Sequence, residues 1–355
     1  MRFWQTVHWF YTSLCNEKCR FCFKPVFADE TDKSRTLAEK LVKGKIKKAV
    51  ITGGEPLLLG NLEAGLKILN EAGIDTIIHT NATLLNEGRI KSLVGLVDEI
   101  AVPIDSMNRN LQEYLRGKDC LLQVKRALKQ LEDKDVRIGI HTVATSLNIK
   151  DIPEIYRFIK QHRFDYWKIY EFNPYLIKER FGNIDRFGEI EELNGPYPTE
   201  SDGGVYSLFA DFLLMEEKFQ HDKRVKFVGV NDYNRTPYFF LGPNGEVFVA
   251  FWFLQGKRSL IGNILEEGFD VVKKKAVDAY NEGVLFDEEA FIETRANQPL
   301  WARVAWEGNY FPEELEDVEP EYQERFFYLS NLYLNRLKKQ GDAPLDAELT
   351  YIYSR

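Results

Sequence analysis

Residues 6–22 run Thr6-Val7-His8-Trp9-Phe10-Tyr11-Thr12-Ser13-Leu14-Cys15-Asn16-Glu17-Lys18-Cys19-Arg20-Phe21-Cys22. The first nine positions are mostly aromatic and β-branched and suit a buried strand. A loop with the spacing C-x3-C-x2-C follows at once. With four cysteines in 355 residues, two more at those offsets would arise by chance on the order of 10⁻⁴ per cysteine, so the loop is read as built. Three thiols on one short loop can converge on a metal, and soft sulfur ligands select zinc, copper(I) or iron–sulfur clusters. Structural zinc asks for a closed set of four ligands, whereas Cys120 is remote and His8 lies on the strand before. A four-iron cubane on three cysteines leaves one iron open to an external ligand, which makes it a reactive centre. Ligand count favours the cluster, with zinc or a redox thiol loop as alternatives.

Outward from this loop, β-rich runs alternate with amphipathic patterns. Strands are predicted at Thr6–Leu14, Ala49–Thr52, Thr76–Thr80, Glu99–Ile104, Arg137–Thr145 and Trp167–Phe172. Helices are predicted near Thr36–Val42, Leu62–Ala72, Glu87–Val94, Cys120–Leu131 and Ile152–Gln161, where apolar residues recur at three- and four-residue spacing. Six β/α repeats imply an α/β fold with a parallel sheet, and in such folds chemistry gathers at the C-terminal ends of the strands. Beyond Asn173-Pro174 the pattern turns loop-rich through Gly182, Gly188 and Gly195-Pro196. A helix near Tyr206–Phe219, strands at Lys226–Val230 and Pro237–Phe253 around the turn Pro243-Asn244-Gly245, and helical material including Glu321–Lys339 follow. The chain divides on this reading into residues 1–175, carrying the cysteines, and 176–355, a mixed α+β substrate or lid region with its hairpin at about 226–265.

A net charge of −8 and 44% hydrophobic residues fit a folded chain with a sizeable core and give no general attraction for nucleic acid or an anionic membrane. The most apolar stretch, Tyr238–Leu254, contains Gly-Pro-Asn-Gly and Glu246, which suit a hairpin rather than a membrane span. The expectation is a cytoplasmic protein without membrane or bulk nucleic-acid partners.

A second motif, Thr52-Gly53-Gly54-Glu55-Pro56, ends the second predicted strand. Glycines let backbone approach a ligand closely, and a carboxylate is a natural partner for an ammonium. Together with the cysteine spacing and the aromatic Phe21 before the last cysteine, this resembles the radical S-adenosylmethionine (radical SAM) enzymes, over about residues 6–175. The resemblance implies a partial (β/α)6 barrel and a [4Fe-4S] cluster on Cys15, Cys19 and Cys22. It also implies S-adenosyl-L-methionine held with Phe21, Gly53, Gly54, Glu55, Asn81, Asp105, Ser106 and Thr142. For the last four, turn, helix-cap and strand roles are the ordinary alternatives. The implied reaction is reductive cleavage of SAM to methionine and a 5′-deoxyadenosyl radical that abstracts hydrogen from a substrate. An external flavodoxin- or ferredoxin-like donor would supply the electron.

The run Pro243–Val247 followed by Ile261-Gly262-Asn263-Ile264 resembles the SPASM/twitch extension of that superfamily, whose cysteines hold further clusters. No cysteine follows residue 120, so a single cluster is expected. Lys48 ahead of Gly53-Gly54-Glu55, the pair Trp167-Lys168, and Asp105-Ser106 with Arg116-Gly117 resemble the viperin-like branch, which acts on nucleoside triphosphates. Ser146 and His8 stand where that branch has a basic residue and an asparagine. Lys168 and Glu171 are the candidate substrate residues, and the substrate is read as a nucleotide, a peptide or a small molecule. A peptide maturase and a non-catalytic metal-binding protein are the rival functions. Cys120 reads as a buried hydrophobe, and His79 and His141 as pocket-wall residues.

Overall fold

The computed structural model describes residues 3–25, 27, 33–172, 192–195, 204, 206–229, 237–250, 259–282, 299–307 and 318–340. Strands and helices alternate as β1 (Thr6–Thr12), α1 (Ser34–Lys43), β2 (Lys48–Gly53), α2 (Leu62–Glu71), β3 (Asp75–His79), α3 (Glu87–Leu93), β4 (Glu99–Pro103), α4 (Arg109–Arg116), α5 (Leu121–Leu131), β5 (Arg137–Ala144), α6 (Ile152–Ile159) and β6 (Tyr166–Glu171). Then come α7 (Leu208–Phe219), β7 (Val225–Val228), β8 (Tyr238–Leu241), β9 (Glu246–Ala250), β10 (Ser259–Asn263), α8 (Phe269–Asn281), α9 (Leu300–Glu307) and α10 (Pro320–Gln340). The predicted repeats agree with these to within a residue or two, apart from α4, which the apolar periodicity does not predict. Asn173, the glycines 182 and 188, and residues 251–253 lie outside the described residues.

Apolar spacing explains the helical layer. In α5, Leu121, Val124, Leu128 and Leu131 fall on one face and are buried, each leucine contributing about 1.5–3 kcal/mol. β4 is buried at every position, as a parallel strand covered on both faces requires. The strands join one sheet in the order β10-β9-β8-β1-β2-β3-β4-β5-β6-β7, parallel from β1 through β7.

The predicted hairpin is present as β8 and β9, joined by Gly242–Gly245, with Gly245 at φ +87°. β8 pairs in parallel with β1, so the hairpin and β10 prolong the barrel sheet beyond its first strand, while β7 prolongs it beyond β6. A second apolar cluster, with Phe209, Leu213, Trp301 and Tyr333 at its heart, packs α7, α9 and α10 together.

The sheet is strongly curled. Lys168 on β6 acts electrostatically on His8 on β1, five strands away, a separation of about 24 Å in a flat sheet at roughly 4.8 Å per strand. The rings of His79 on β3 and His141 on β5 lie 4.6 Å apart across β4. These side chains share the concave lumen, whereas Trp167 stacks on Tyr156 of α6 on the convex side. The fold is therefore a partial (β/α)6 barrel, open between its edge strands β10 and β7 among the described residues. No described helix is long and apolar enough to cross a membrane.

Candidate active site at the C-terminal rim of the barrel

Cys15, Cys19 and Cys22 follow the C-terminal end of β1, and all three are half-buried. The loop is pinned to the end of α4 by hydrogen bonds from Lys18 N to Arg116 O (3.2 Å) and from Arg20 N to Leu115 O (2.9 Å). Cys22 N closes a turn onto Cys19 O at 3.2 Å. Donors face the sulfurs: Glu17 N is 3.4 Å from Cys15 Sγ, Asn81 Nδ2 4.0 Å from the same atom, and Arg116 Nη1 3.9 Å from Cys19 Sγ. Cys22 interacts electrostatically with both Cys15 and Cys19. Burial pushes the thiols of Cys15 and Cys19 up, so the thiolates need a positive partner, which a metal supplies.

Three soft donors on one loop, two of them with N–H groups against the sulfur, fit a cubane cluster with three protein ligands. Among the described residues, no group of three or more His, Cys, Asp or Glu side chains is arranged to close on a single metal ion; a four-iron body spreads its cysteines more widely.

The glycine motif lies against this loop. Gly54 N donates to Thr12 O at 2.6 Å and Glu55 N to Leu14 O at 2.7 Å. Gly53 has φ +134°, and a Cβ on Gly54 would stand 1.8 Å from Leu14 O. The glycines are thus required first by the approach of the two backbones, which fixes the strand end from which the cysteines depart. A Gly54→Ala variant is expected to lose about 2–3 kcal/mol or more and to retain less iron. Thermal unfolding and iron content check this, and an unperturbed melting point would refute the close approach.

Glu55, which the resemblance assigns to SAM, has its carboxylate hydrogen-bonded within the rim. Oε1 accepts from Leu57 N (3.0 Å) and Thr80 Oγ1 (2.7 Å), and Oε2 from Asn81 N (2.6 Å). It is fully buried, and burial pushes its carboxyl up to about 7 despite these bonds. Glu55 ties the rim of β2 to that of β3. Asn81 continues the tie, donating to Asn16 Oδ1 at 2.7 Å while its Oδ1 accepts from Thr83 N and Oγ1.

Asp105 and Ser106, after β4, are both fully buried. Asp105 accepts from Arg116 Nε at 2.6 Å and from Val143 N at 2.8 Å. The backbone N–H groups of both residues donate to Gln112 Oε1, and Ser106 Oγ bonds Asp151. Arg116 also reaches Glu17 at 3.1 Å and lies 5.6 Å over the buried ring of Phe21. Burial works against its charge, but Asp105, Cys19 and Glu17 outweigh it and hold the guanidinium charged. Thr142 Oγ1 bonds Ile104 O and accepts from Trp167 Nε1 at 2.9 Å. These candidate SAM residues line or brace one rim, with most of their polar atoms engaged by protein partners. Sequence reasoning misses Gln112 and the Arg116 bridge; Asn108 as N-cap and Gly117 as C-cap are the available signals for α4.

Lys168 and Glu171 are not brought together. Burial alternates along β6, placing Lys168 in the lumen with Tyr166 and Tyr170, while Glu171 shares the other face with Trp167 and acts on Arg336 of α10. Lys168 lies 5.1 Å over the Tyr166 ring, and burial lowers its pKa, with Lys226 and Lys48 adding to the effect against Glu99.

Lys48, one of the residues that resemble the nucleotide-acting branch, sits at the end of the barrel opposite the cysteine rim. It opens β2, about 16 Å along the strand from Gly53 at roughly 3.3 Å per residue, and pairs with Asp75 at 2.8 Å. Arg137 joins that floor through Asp75 (2.9 Å) and Glu99 (3.2 Å), and Tyr166 OH donates to Glu99.

The architecture is a partial α/β barrel with a three-cysteine cradle and a glycine strap on its C-terminal rim. Residues 9–159, somewhat under half of the chain, match the family described as Radical SAM superfamily. Over 198 residues the chain is 30% identical to an S-adenosylmethionine-dependent nucleotide dehydratase of Lacinutrix mariniflava, covering 50% of this chain and 40% of that one. The chain thus spans less than half the length of that relative. Its fold is similar to the structure titled "Native anSMEcpe with bound AdoMet", with TM-score 0.58, 17% identity, and coverage of 94% of this chain and 99% of the other. It is also similar to Streptococcus suis SuiB bound to precursor peptide SuiA, with TM-score 0.58, 17% identity, and coverage of 80% and 67%.

Proposed function

We propose that this protein is a radical SAM enzyme that cleaves S-adenosylmethionine reductively and takes a hydrogen atom from a substrate held in the barrel lumen. The supporting observation is the seating of the Gly53-Gly54 strap on the strand end that carries Cys15, Cys19 and Cys22. These cysteines would hold a [4Fe-4S] cluster, and the neighbouring rim of Gly53, Gly54, Asn81 and the Asp105–Arg116 brace would receive SAM. When bound, the pair supplies one-electron cleavage of the sulfonium bond to methionine and a 5′-deoxyadenosyl radical, with the electron drawn from a flavodoxin- or ferredoxin-like donor. The chain's own part is positioning: Arg116 and Glu55 fix the loops, and the lumen orients the substrate and excludes water. Anaerobically reconstituted protein is expected to hold about four irons, to absorb broadly in the visible and to release 5′-deoxyadenosine with a strong reductant. Zinc in place of iron, with no SAM binding, would establish the non-catalytic alternative.

For the substrate, a nucleoside triphosphate is supported by the nucleotide dehydratase relative and by Lys168 in the lumen, though not by Lys48. If it is correct, a triphosphate stimulates SAM cleavage, and Lys168→Ala reduces that stimulation at least ~10-fold, the loss of one charge-assisted contact. Lys48→Ala, at the floor, leaves it within about twofold. Intact SAM cleavage that no triphosphate stimulates moves the substrate to a peptide or a small biosynthetic intermediate.

A further inference from the structure

The lumen of a (β/α) barrel is ordinarily filled by branched apolar side chains contributed in layers by alternate strands. Here β1, β3 and β5 contribute His8, His79 and His141, three of the five histidines in the chain. His79 and His141 meet edge to face at 4.6 Å. His141 Nε2 lies 3.3 Å from Tyr166 OH. Because that hydroxyl donates its proton to Glu99, the imidazole must be the donor at Nε2, which leaves Nδ1 as the lone-pair nitrogen. His79 and Nδ1 of His141 have no hydrogen-bond partner among the described residues.

The charges around this pair are unbalanced. His8 and Lys168 act on His79, and Lys168 on His141, whose ring also meets those of Tyr166 and Tyr170; one step further out, Glu99 and Lys226 act on Lys168, Arg137 on Tyr166, and Tyr238 on Tyr170. Arg116 of α4 and Lys48 of β2 act at longer range. The one carboxylate among them, Glu99, is engaged by Arg137 and Tyr166. Lys168 has no carboxylate within ion-pair distance among the described residues, and its neighbouring contact is a ring face. Among the described residues, the lumen therefore presents a cation and several nitrogens able to donate, with no unengaged anion to match them. Desolvation, with Lys168 adding to it, holds the pKa of each imidazole below its ordinary value.

We propose that His79 and His141 form an oxyanion subsite for the substrate, taking a carboxylate or a phosphate-type group together with one proton from solvent. The proton goes to Nδ1 of His141 or to His79, and no covalent bond changes. An entering anion offsets Lys168 and supplies the opposite charge that an imidazolium requires. This rests on the lumen being the substrate chamber, as proposed above, and narrows the substrate to an anion.

The test follows the five histidines of the full-length chain by NMR with isotope-labelled histidine, during titration with sulfate, which stays divalent throughout, and separately with acetate. Sulfate is expected to raise the titration midpoint of His79 or His141 by at least one pH unit. Its affinity should tighten as the pH falls below that raised midpoint, approaching tenfold per unit between the raised and the free midpoints, where one proton is taken up. A response to sulfate alone assigns a phosphate-type group, and one to acetate alone a carboxylate. Unmoved histidine signals with both anions overturn the subsite, as does pH-independent binding, or binding that persists in a folded His79→Gln/His141→Gln variant. Because the readout needs neither cluster nor SAM, a protein that shows the response without releasing 5′-deoxyadenosine separates failure of the radical reading from failure of this one.

Discussion

Replacing Cys15, Cys19 and Cys22 together by alanine is expected to take the reconstituted protein from about four irons per chain to none. Release of 5′-deoxyadenosine should fall at least ~10³-fold, the scale on which an essential catalytic unit is lost. The reason is compositional as well as geometric. Of four cysteines, the fourth, Cys120, is fully buried, accepts from Gln112 Nε2 at 3.5 Å, and has its thiol pushed up to about 12, chiefly by burial. It is placed as packing and cannot replace a missing ligand. Cys120→Ala therefore serves as the matched control, expected to keep its iron at a modest cost in stability. The triple variant should still fold, because the loop is tethered to α4 through backbone atoms of Lys18 and Arg20 rather than through the thiols. Iron content with circular dichroism, then product release, separates the outcomes. A folded triple variant that still binds four irons or cleaves SAM would remove the cluster from these residues.

The parts of the fold that periodicity governs were legible. Leucines, isoleucines and valines at three- and four-residue spacing located α2, α5 and α6, and β-branched and aromatic runs located β1 through β6. The cysteine loop and the glycine motif were legible because each is a local pattern that ends a strand. What failed has a common physical cause, since it depended on which side chains meet across the fold. α4 is predominantly polar and buries Gln112 and Arg116, so no apolar stripe announces it. The hydrogen bonds from Thr80 and Asn81 to the Glu55 carboxylate, which join the rims of β2 and β3, have no local signature. Lys48 looks like a mouth residue by its distance in sequence from Gly53, yet counting strand residues puts it at the floor, where Asp75 holds it. Glu171 parts from Lys168 by simple alternation on β6. The histidine layer needed the curl of the sheet: His8, His79 and His141 are separated by more than sixty residues at each step and meet only because alternate strands face one lumen.

Arg116→Met should be the most destabilising single substitution at the rim, by about 3–5 kcal/mol, because it removes one member of a buried ion group and leaves the others unpaired. Asp105 has no exposed surface, the side chain of Glu17 is 1% exposed, and Arg116 meets them at 2.6 Å and 3.1 Å. Methionine preserves much of the volume over Phe21, so the loss reports charge compensation rather than a cavity. The consequence reaches the cysteine loop, because Glu17 lies between Cys15 and Cys19 and touches both, through its N–H and its carboxylate. An uncompensated Glu17 is relieved by taking up a proton or by moving its carboxylate toward water, and either change disturbs the ligand loop that carries it. Iron retention after gel filtration should therefore fall along with the urea midpoint. The double variant Arg116→Met/Asp105→Asn discriminates between explanations. If electrostatic compensation is the cause, removing the Asp105 charge restores a substantial part of the lost stability, a coupling a double-mutant cycle measures directly. A loss below about 1 kcal/mol for Arg116→Met, typical of an exposed pair, would show that the arginine does not brace the rim. The Asp105–Arg116–Glu17 group would then be excluded as the link that holds the cysteine loop against α4.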